Sequence, residues 1–309
     1  MIELIIQLLT FAISLVVLAS ASHFTIKSIE RLIELTGLSE ASAGFVILAV
    51  MTSTPEIIVA LFSVLQGNPG ISIGDILGSN VFNVGAVLGI LGILGFLKTC
   101  CTDLLVELTD ILFVISLIPL LLVIFQVASP IVGIILLGSF LISTYFLGKK
   151  RTPKVEATKS AVREGSKKTV VTMLLLSFAG LIIAARLVVS SGLNIALILG
   201  APPILIGAKV VAIGTSLPEL TVDLAAVRRG HVQLAIGGII GSNLTNLTLV
   251  LGLVLIASPF AVDMTIFTEI LPFLLITTIV FWRFLTRGGV SQVGGIILIM
   301  AYILFQAII

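Results

Sequence analysis

Ala49-Val-Met-Thr-Ser-Thr-Pro-Glu56 returns 163 residues later as Ala212-Ile-Gly-Thr-Ser-Leu-Pro-Glu219. At the same offset Ile73-Gly-Asp-Ile-Leu-Gly-Ser-Asn80, with Asn83 beyond it, returns as Ile236-Gly-Gly-Ile-Ile-Gly-Ser-Asn243, with Asn246. The register holds without a gap through Val87-Leu-Gly89 and Val250-Leu-Gly252, so the chain is a duplication. The surroundings show what was duplicated. Of the 309 residues 58% are hydrophobic and 10% charged, with a mean hydropathy of +1.30. Soluble domains carry about 25% charged residues, so lipid is the main solvent here. Apolar blocks of roughly the 20 residues needed to cross a bilayer begin near residues 3, 41, 70, 104, 129, 169, 203, 232, 265 and 290. The expectation is an all-α polytopic membrane protein of ten transmembrane helices, five per repeat, with no sizeable soluble domain.

Five is odd, so the second copy enters the membrane from the opposite side, the inverted-repeat plan of secondary transporters. The predicted units are a first five-helix repeat (1–148), a linker (149–168) and a second, inverted repeat (169–309). The linker carries eight of the seventeen Lys and Arg residues against Glu156 and Glu164, which makes it cytoplasmic and the N-terminus external. Lys27, Arg31, Lys98, Arg228, Arg229, Arg283 and Arg287 all fall at ends that this topology places inside. Only Arg186 and Lys209 fall toward the outer side; Lys209 reads as a side chain reaching the interface. Glu3 and the lack of basic residues before the first block argue for a retained span, not a cleaved signal. Cys100 and Cys101 have no partner at metal spacing and read as reduced and structural. The net charge of +2 serves topology and gives no reason to expect a nucleic-acid partner.

Within the repeats, Glu56 and Glu219 fall near the middle of their spans. A charge there costs roughly 2.5–3.5 kcal/mol on insertion scales, so a cation or proton must compensate it. Pro55 and Pro218 precede the two acids; lacking an N–H, each breaks the helical bonding one turn back and frees carbonyl oxygens. Thr52 and Ser53 share a helix face with Glu56, as Thr215 and Ser216 do with Glu219. On the following spans Ser79 pairs in the same way with Asn83, and Ser242 with Asn246. The donors are all oxygens, which suits a hard cation such as Ca²⁺ better than a softer metal. A single intramembrane Ser or Asn is usually a packing hydrogen bond; the symmetric set around two glutamates is not so easily explained. Gly74 with Gly78, and Gly237 with Gly241, place small residues one turn apart and predict close helix crossings.

At these residues the sequence resembles the sodium/calcium exchanger family of the cation/calcium exchanger superfamily, prokaryotic type, over the whole ten-span plan. The resemblance implies Glu56 and Glu219 as central calcium ligands, assisted by Thr52 and Thr215 through their backbone carbonyls. It implies Ser53, Ser79, Ser216 and Ser242, with the carbonyls of Ala49 and Ala212, as flanking sodium sites, and Asn83 as a family amide. It also implies a first and sixth span that slide across the other eight. Asn246 stands where many relatives carry Asp, leaving two central acids in place of three. Gly238 stands where relatives often carry Asn or Asp, while Asp75 keeps that polar character.

Asp223, one turn beyond Glu219, reads either as a cation-attracting group of the inner vestibule or as half of a structural ion pair with an arginine. His23 and His231, at cytoplasmic ends, read as ordinary interfacial residues. Glu107, Asp110 and Glu269 read as solvated. The functional expectation is secondary antiport of Ca²⁺ for Na⁺ by alternating access, by a monomer in the cell membrane. Its partners are inorganic cations and the lipid bilayer; no cofactor beyond the transported Ca²⁺ and Na⁺ (or H⁺) is called for. Calcium/proton antiport is the alternative, since two glutamates can take two protons for one calcium. A channel fits the one-acid-per-half symmetry less well, and no catalytic constellation argues for an enzyme.

Overall fold

A backbone in hydrocarbon must satisfy its own N–H and C=O groups, and the helix does so within one segment. The computed structural model describes residues 2–36, 40–65, 69–98, 102–125, 129–149, 167–198, 213, 216–257 and 264–309, and among them there is no strand. The helical segments follow the apolar blocks. They are α1 (Ile2–Thr36), α2 (40–65), α3 (69–93), α4 (103–125), α5 (Pro130–Lys149), α6 (Lys167–Ile198), α7 (Leu217–Arg228), α8 (Val232–Ala257), α9 (Met264–Leu285) and α10 (Gln292–Ile308). Five stretches within them, in α1, α3, α4, α8 and α9, are long and apolar enough to cross a membrane; α5, α6 and α10 supply shorter apolar stretches. The linker residues 150–166, Cys100, Cys101 and Lys209 lie outside the described residues.

The duplication is visible in the backbone. The helix of α3 widens to a π turn at Asn83–Val87, and that of α8 does so at Asn246–Val250, the positions 163 residues on. The helical path of α2 breaks at Ser53 (φ −77°, ψ 4°), and α7 opens from Ser216 in the same conformation (φ −92°, ψ 5°). Each break stands two residues before its proline. The sequence feature and the backbone feature thus repeat in one register.

Burial ranks the helices. In the apolar windows of α3 and α8, 89% and 83% of residues are buried, against 19% in that of α1, so α3 and α8 are the centre of the molecule. α1 packs mainly along α6, and beyond it touches α7 and the start of α2. The outward faces of α1, α5, α6 and α10 expose Ile, Leu and Val in long runs, the surface expected where the solvent is lipid. Glycines set the closest crossings. A Cβ on Gly89 would come 2.6 Å from Ile299 of α10, and one on Gly252, its repeat equivalent, 2.9 Å from the Gly133 carbonyl of α5. Gly241 is equally tight: a Cβ would lie 2.6 Å from that of Ala49. Gly74 corrects the sequence expectation. Nothing lies within 4 Å of the place its Cβ would take, so it makes no close crossing.

Candidate ion-binding site

Glycine 241 determines how the two repeats meet. Because it lets α8 pass against Phe45 and Ala49 of α2, the next residue, Ser242, reaches the helix break at Ser53. The two hydroxyls lie 2.9 Å apart, and Ser242 donates to Glu219 Oε1 at 3.2 Å. Glu219 accepts that bond, so Ser53 is the donor to Ser242. The chain Ser53–Ser242–Glu219 therefore runs from one repeat into the other. Thr52 also faces the Glu219 carboxylate, while its hydroxyl lies 3.4 Å from the Ala49 carbonyl. The Ala49 carbonyl accepts the Ser53 N–H at 3.0 Å.

Beside this chain stands an asparagine quartet. Asn80 Nδ2 donates to the Asn243 carbonyl, and Asn243 Nδ2 to the Asn80 carbonyl, both at 3.3 Å. Asn83 Nδ2 donates to Asn243 Oδ1 at 3.1 Å, and Asn246 Nδ2 to Asn80 Oδ1 at 3.3 Å. Adding 163 to every number maps one half of the quartet onto the other, so a pseudo-two-fold axis passes between Asn80 and Asn243. The quartet takes up the amide nitrogens of Asn83 and Asn246 and leaves their Oδ1 atoms as buried acceptors without a hydrogen bond among the described residues. Asn80 and Asn243 were not picked out by sequence reasoning as functional. Their signal was there, as repeat-matched amides beside Ser79 and Ser242, but nothing in one dimension pairs residues so far apart.

The remaining expected ligands share that condition. Among the described residues both carboxylate oxygens of Glu56, Oε2 of Glu219 and the hydroxyls of Ser79 and Ser216 are buried without a hydrogen-bond partner. Ser79 faces Glu56 without closing a bond to it, and Glu56 is within Coulombic reach of Glu219. Buried polar atoms are almost always satisfied. Here the orphans come from both repeats, and every one is an oxygen. No three Asp, Glu, His or Cys side chains among the described residues converge on one ion position, so any cation must draw on hydroxyl, amide and carbonyl oxygens as well. Thr215 and Ala212 lie outside the described residues.

Asp223 is buried, and its Oδ1 sits 3.3 Å from where Gly238 would carry a Cβ. No ion pair joins it to an arginine among the described residues. Asp110 is exposed, as expected of a solvated acid, but also accepts the Trp282 indole N–H at 2.6 Å. His231 is not the ordinary interfacial residue the sequence suggested. Its Nδ1 lies 2.8 Å from Glu40 and its Nε2 2.9 Å from Glu30, whose carboxylate is also held by Arg229 at 2.5 and 2.6 Å. This cluster ties α1 to the α7–α8 turn and to α2.

The sodium/calcium exchanger protein family model matches residues 6–149 and 169–309, nearly the whole chain in two blocks. The chain belongs to the sodium/calcium exchanger family. Like its relatives, this exchanger is an integral membrane antiporter and not a classical enzyme. It is 29% identical to the sodium/calcium exchanger MaX1 of Methanosarcina acetivorans over 98% of both chains. It is 30% identical to the putative antiporter CaxA of Alkalimonas amylolytica over 87% of this chain and 88% of that one. Among solved structures it superposes on the sodium-calcium exchanger NCX_Mj with a TM-score of 0.83, at 27% identity, over 99% of both chains. The all-helical fold and the membrane assignment read from the sequence thus stand.

Proposed function

We infer that this exchanger carries Ca²⁺ and Na⁺ in opposite directions by alternating access, at a site near the membrane midplane between two inverted five-helix repeats. The N-terminus is external and the basic segment 149–168 is the cytoplasmic linker. The observation that carries the reading is the orphaned oxygen set. Carboxylate, hydroxyl and amide oxygens from both repeats are buried and unpartnered among the described residues, and an asparagine quartet orients the two amides by a hydrogen bond from the nitrogen of each. Removing such groups from water costs several kcal/mol unless a cation takes the place of the missing partners.

Glu56 and Glu219 are the central calcium ligands, and two carboxylates balance one Ca²⁺. Thr52 and Thr215 assist through their carbonyls. The hydroxyls of Ser53 with Ser242, and of Ser79 with Ser216, line flanking sodium positions with the carbonyls of Ala49 and Ala212. Asn83 and Asn246 contribute Oδ1, and Asp223 lies on the cytoplasmic side of the site as its inner vestibule. The peripheral α1–α6 pair, packed largely on itself, is the element that slides. Names of relatives support the ions: MaX1 and NCX_Mj are both called sodium/calcium exchangers.

The test is uptake of radioactive calcium into proteoliposomes at clamped voltage, driven by an outward sodium gradient and separately by an outward proton gradient. Sodium-driven uptake that disappears in Glu219→Gln is the expected result. Uptake driven by protons alone would replace this reading with calcium/proton antiport.

A further inference from the structure

The two repeats match in their glutamates, serines and asparagines, and differ in where they keep one more acid. Asp75 of α3 corresponds at the 163-residue offset to Gly238 of α8, and Asp223 of α7 corresponds to Ala60 of α2. α2 packs on α3 as α7 packs on α8. Each helix pair therefore carries one aspartate and one small residue, with the roles of the two helices exchanged. In the second repeat the reason for the exchange is visible. Gly238 leaves the room that Asp223 fills, and any side chain there would also strike Leu48, 2.9 Å from its Cβ. Both acids are buried, at 6% and 2% exposure, as is Ala60.

Asp75 stands one turn before Ser79 and Asp223 one turn after Glu219, each about 6 Å along its helix. In the inferred topology α3 and α7 both run inward, so the two aspartates flank the site on opposite faces. Asp75 is within Coulombic reach of Glu56 and of Glu219, and Asp223 of Glu219. The Glu56 carboxylate they flank is fully buried with both oxygens unpartnered among the described residues. Among the described residues no three acids meet at one point.

We propose that Asp75 and Asp223 are the external and cytoplasmic access carboxylates of the ion path, each drawing a divalent cation toward Glu56 and Glu219 from its own face of the membrane. The proposal rests on the functional reading above. It extends that reading to the outer face, and makes Asp75 and Asp223 equivalent in role although they stand on non-equivalent helices.

Calcium–calcium self-exchange in unidirectionally oriented proteoliposomes tests this without needing any coupling ion. Removing a charge this near a desolvated divalent site is worth at least about tenfold in affinity. Asp75→Asn should raise the external apparent KM for Ca²⁺ by that factor and leave the cytoplasmic KM within about twofold; Asp223→Asn should do the reverse. The transposed variant Ala60→Asp with Asp75→Gly, which copies the second repeat's arrangement, should restore external affinity, as no packing role of Asp75 could. A wild type that exchanges while either single variant shifts both faces equally, or neither, overturns the proposal alone. So does failure of a stably folded transposed variant to recover. A wild type without self-exchange overturns the functional reading and the proposal together.

Discussion

The asparagine quartet makes a prediction that depends on bond identity and not on burial alone. Asn80→Ala removes two side-chain hydrogen bonds, one to the Asn243 carbonyl and one from Asn246. Asn243→Ala removes the two symmetric bonds, to the Asn80 carbonyl and from Asn83. Side-chain hydrogen bonds between membrane helices average about 0.6 kcal/mol and reach about 1.7, so each substitution should cost about 1–3 kcal/mol. Pseudo-two-fold symmetry requires the two costs to agree within about 0.5 kcal/mol, the additivity error of such measurements. The decisive quantity is coupling. Asn80 and Asn246 share a bond, as do Asn83 and Asn243, so those double mutants should be less destabilised than the sum of their singles by the worth of one bond. Asn80 and Asn83, neighbours on one helix, share none and should couple weakly. Reversible denaturant unfolding in mixed micelles, followed by helical ellipticity, gives all the terms. Coupling within α3 as large as coupling between α3 and α8 would refute the quartet, as would no coupling at all.

Three further outcomes follow from the same geometry. Calcium at about a hundred times its Kd should stabilise the wild type by about 2.7 kcal/mol; Glu219→Gln should lose that shift while unfolding no earlier in calcium-free buffer, since it removes a buried, partly unpartnered charge. A melt series with and without calcium reads both. Gly44→Ala should cost about 1–3 kcal/mol by overpacking, because its Cβ would run into the Leu234 carbonyl and lie 2.8 Å from the Gly238 nitrogen, whereas Gly74→Ala, facing open space, should be neutral or stabilise by up to about 1 kcal/mol; equal melting temperatures for the two would contradict the packing described. The Glu30–Arg229 pair is partly exposed, at 19% and 31%, so a double-mutant cycle on Glu30→Gln and Arg229→Gln should give no more than about 1 kcal/mol and shrink with added salt. A larger, salt-independent coupling would mean that the pair is screened from water.

Much of the fold was legible because a bilayer imposes a one-dimensional signal. Apolar blocks of membrane length became helices at nearly the positions where they begin, save the block near 203, whose start lies outside the described residues, and the repeat offset recurs in the backbone as matching π turns at Asn83 and Asn246 and matching breaks at Ser53 and Ser216. Crossing geometry was less legible. Gly74 and Gly241 belong to the same kind of spaced-glycine pattern, yet only Gly241 sits at a tight contact. A spacing shows that a helix has a small face; it does not show whether another helix lies against that face. His231 failed for a related reason. Nothing in its local sequence announces that Glu30 and Glu40, some two hundred residues away, close around its two ring nitrogens.

The candidate site was legible as a donor set but not as an arrangement. Residue types gave oxygens without nitrogen or sulfur, while the structure supplies the device that makes the amides present oxygen. An asparagine offers donor and acceptor equally; Asn80 and Asn243 take a hydrogen bond from Asn246 and Asn83 respectively, whose Oδ1 atoms remain buried acceptors without a partner among the described residues. The symmetric quartet therefore fixes the polarity of the site, and the acids can depart from symmetry without disturbing it. That separation explains how one duplicated frame accommodates the exchanged positions of Asp75 and Asp223. The hydrogen-bonding frame must be two-fold to join the repeats, whereas the charges need only be sufficient in number and correctly placed between the two faces of the membrane.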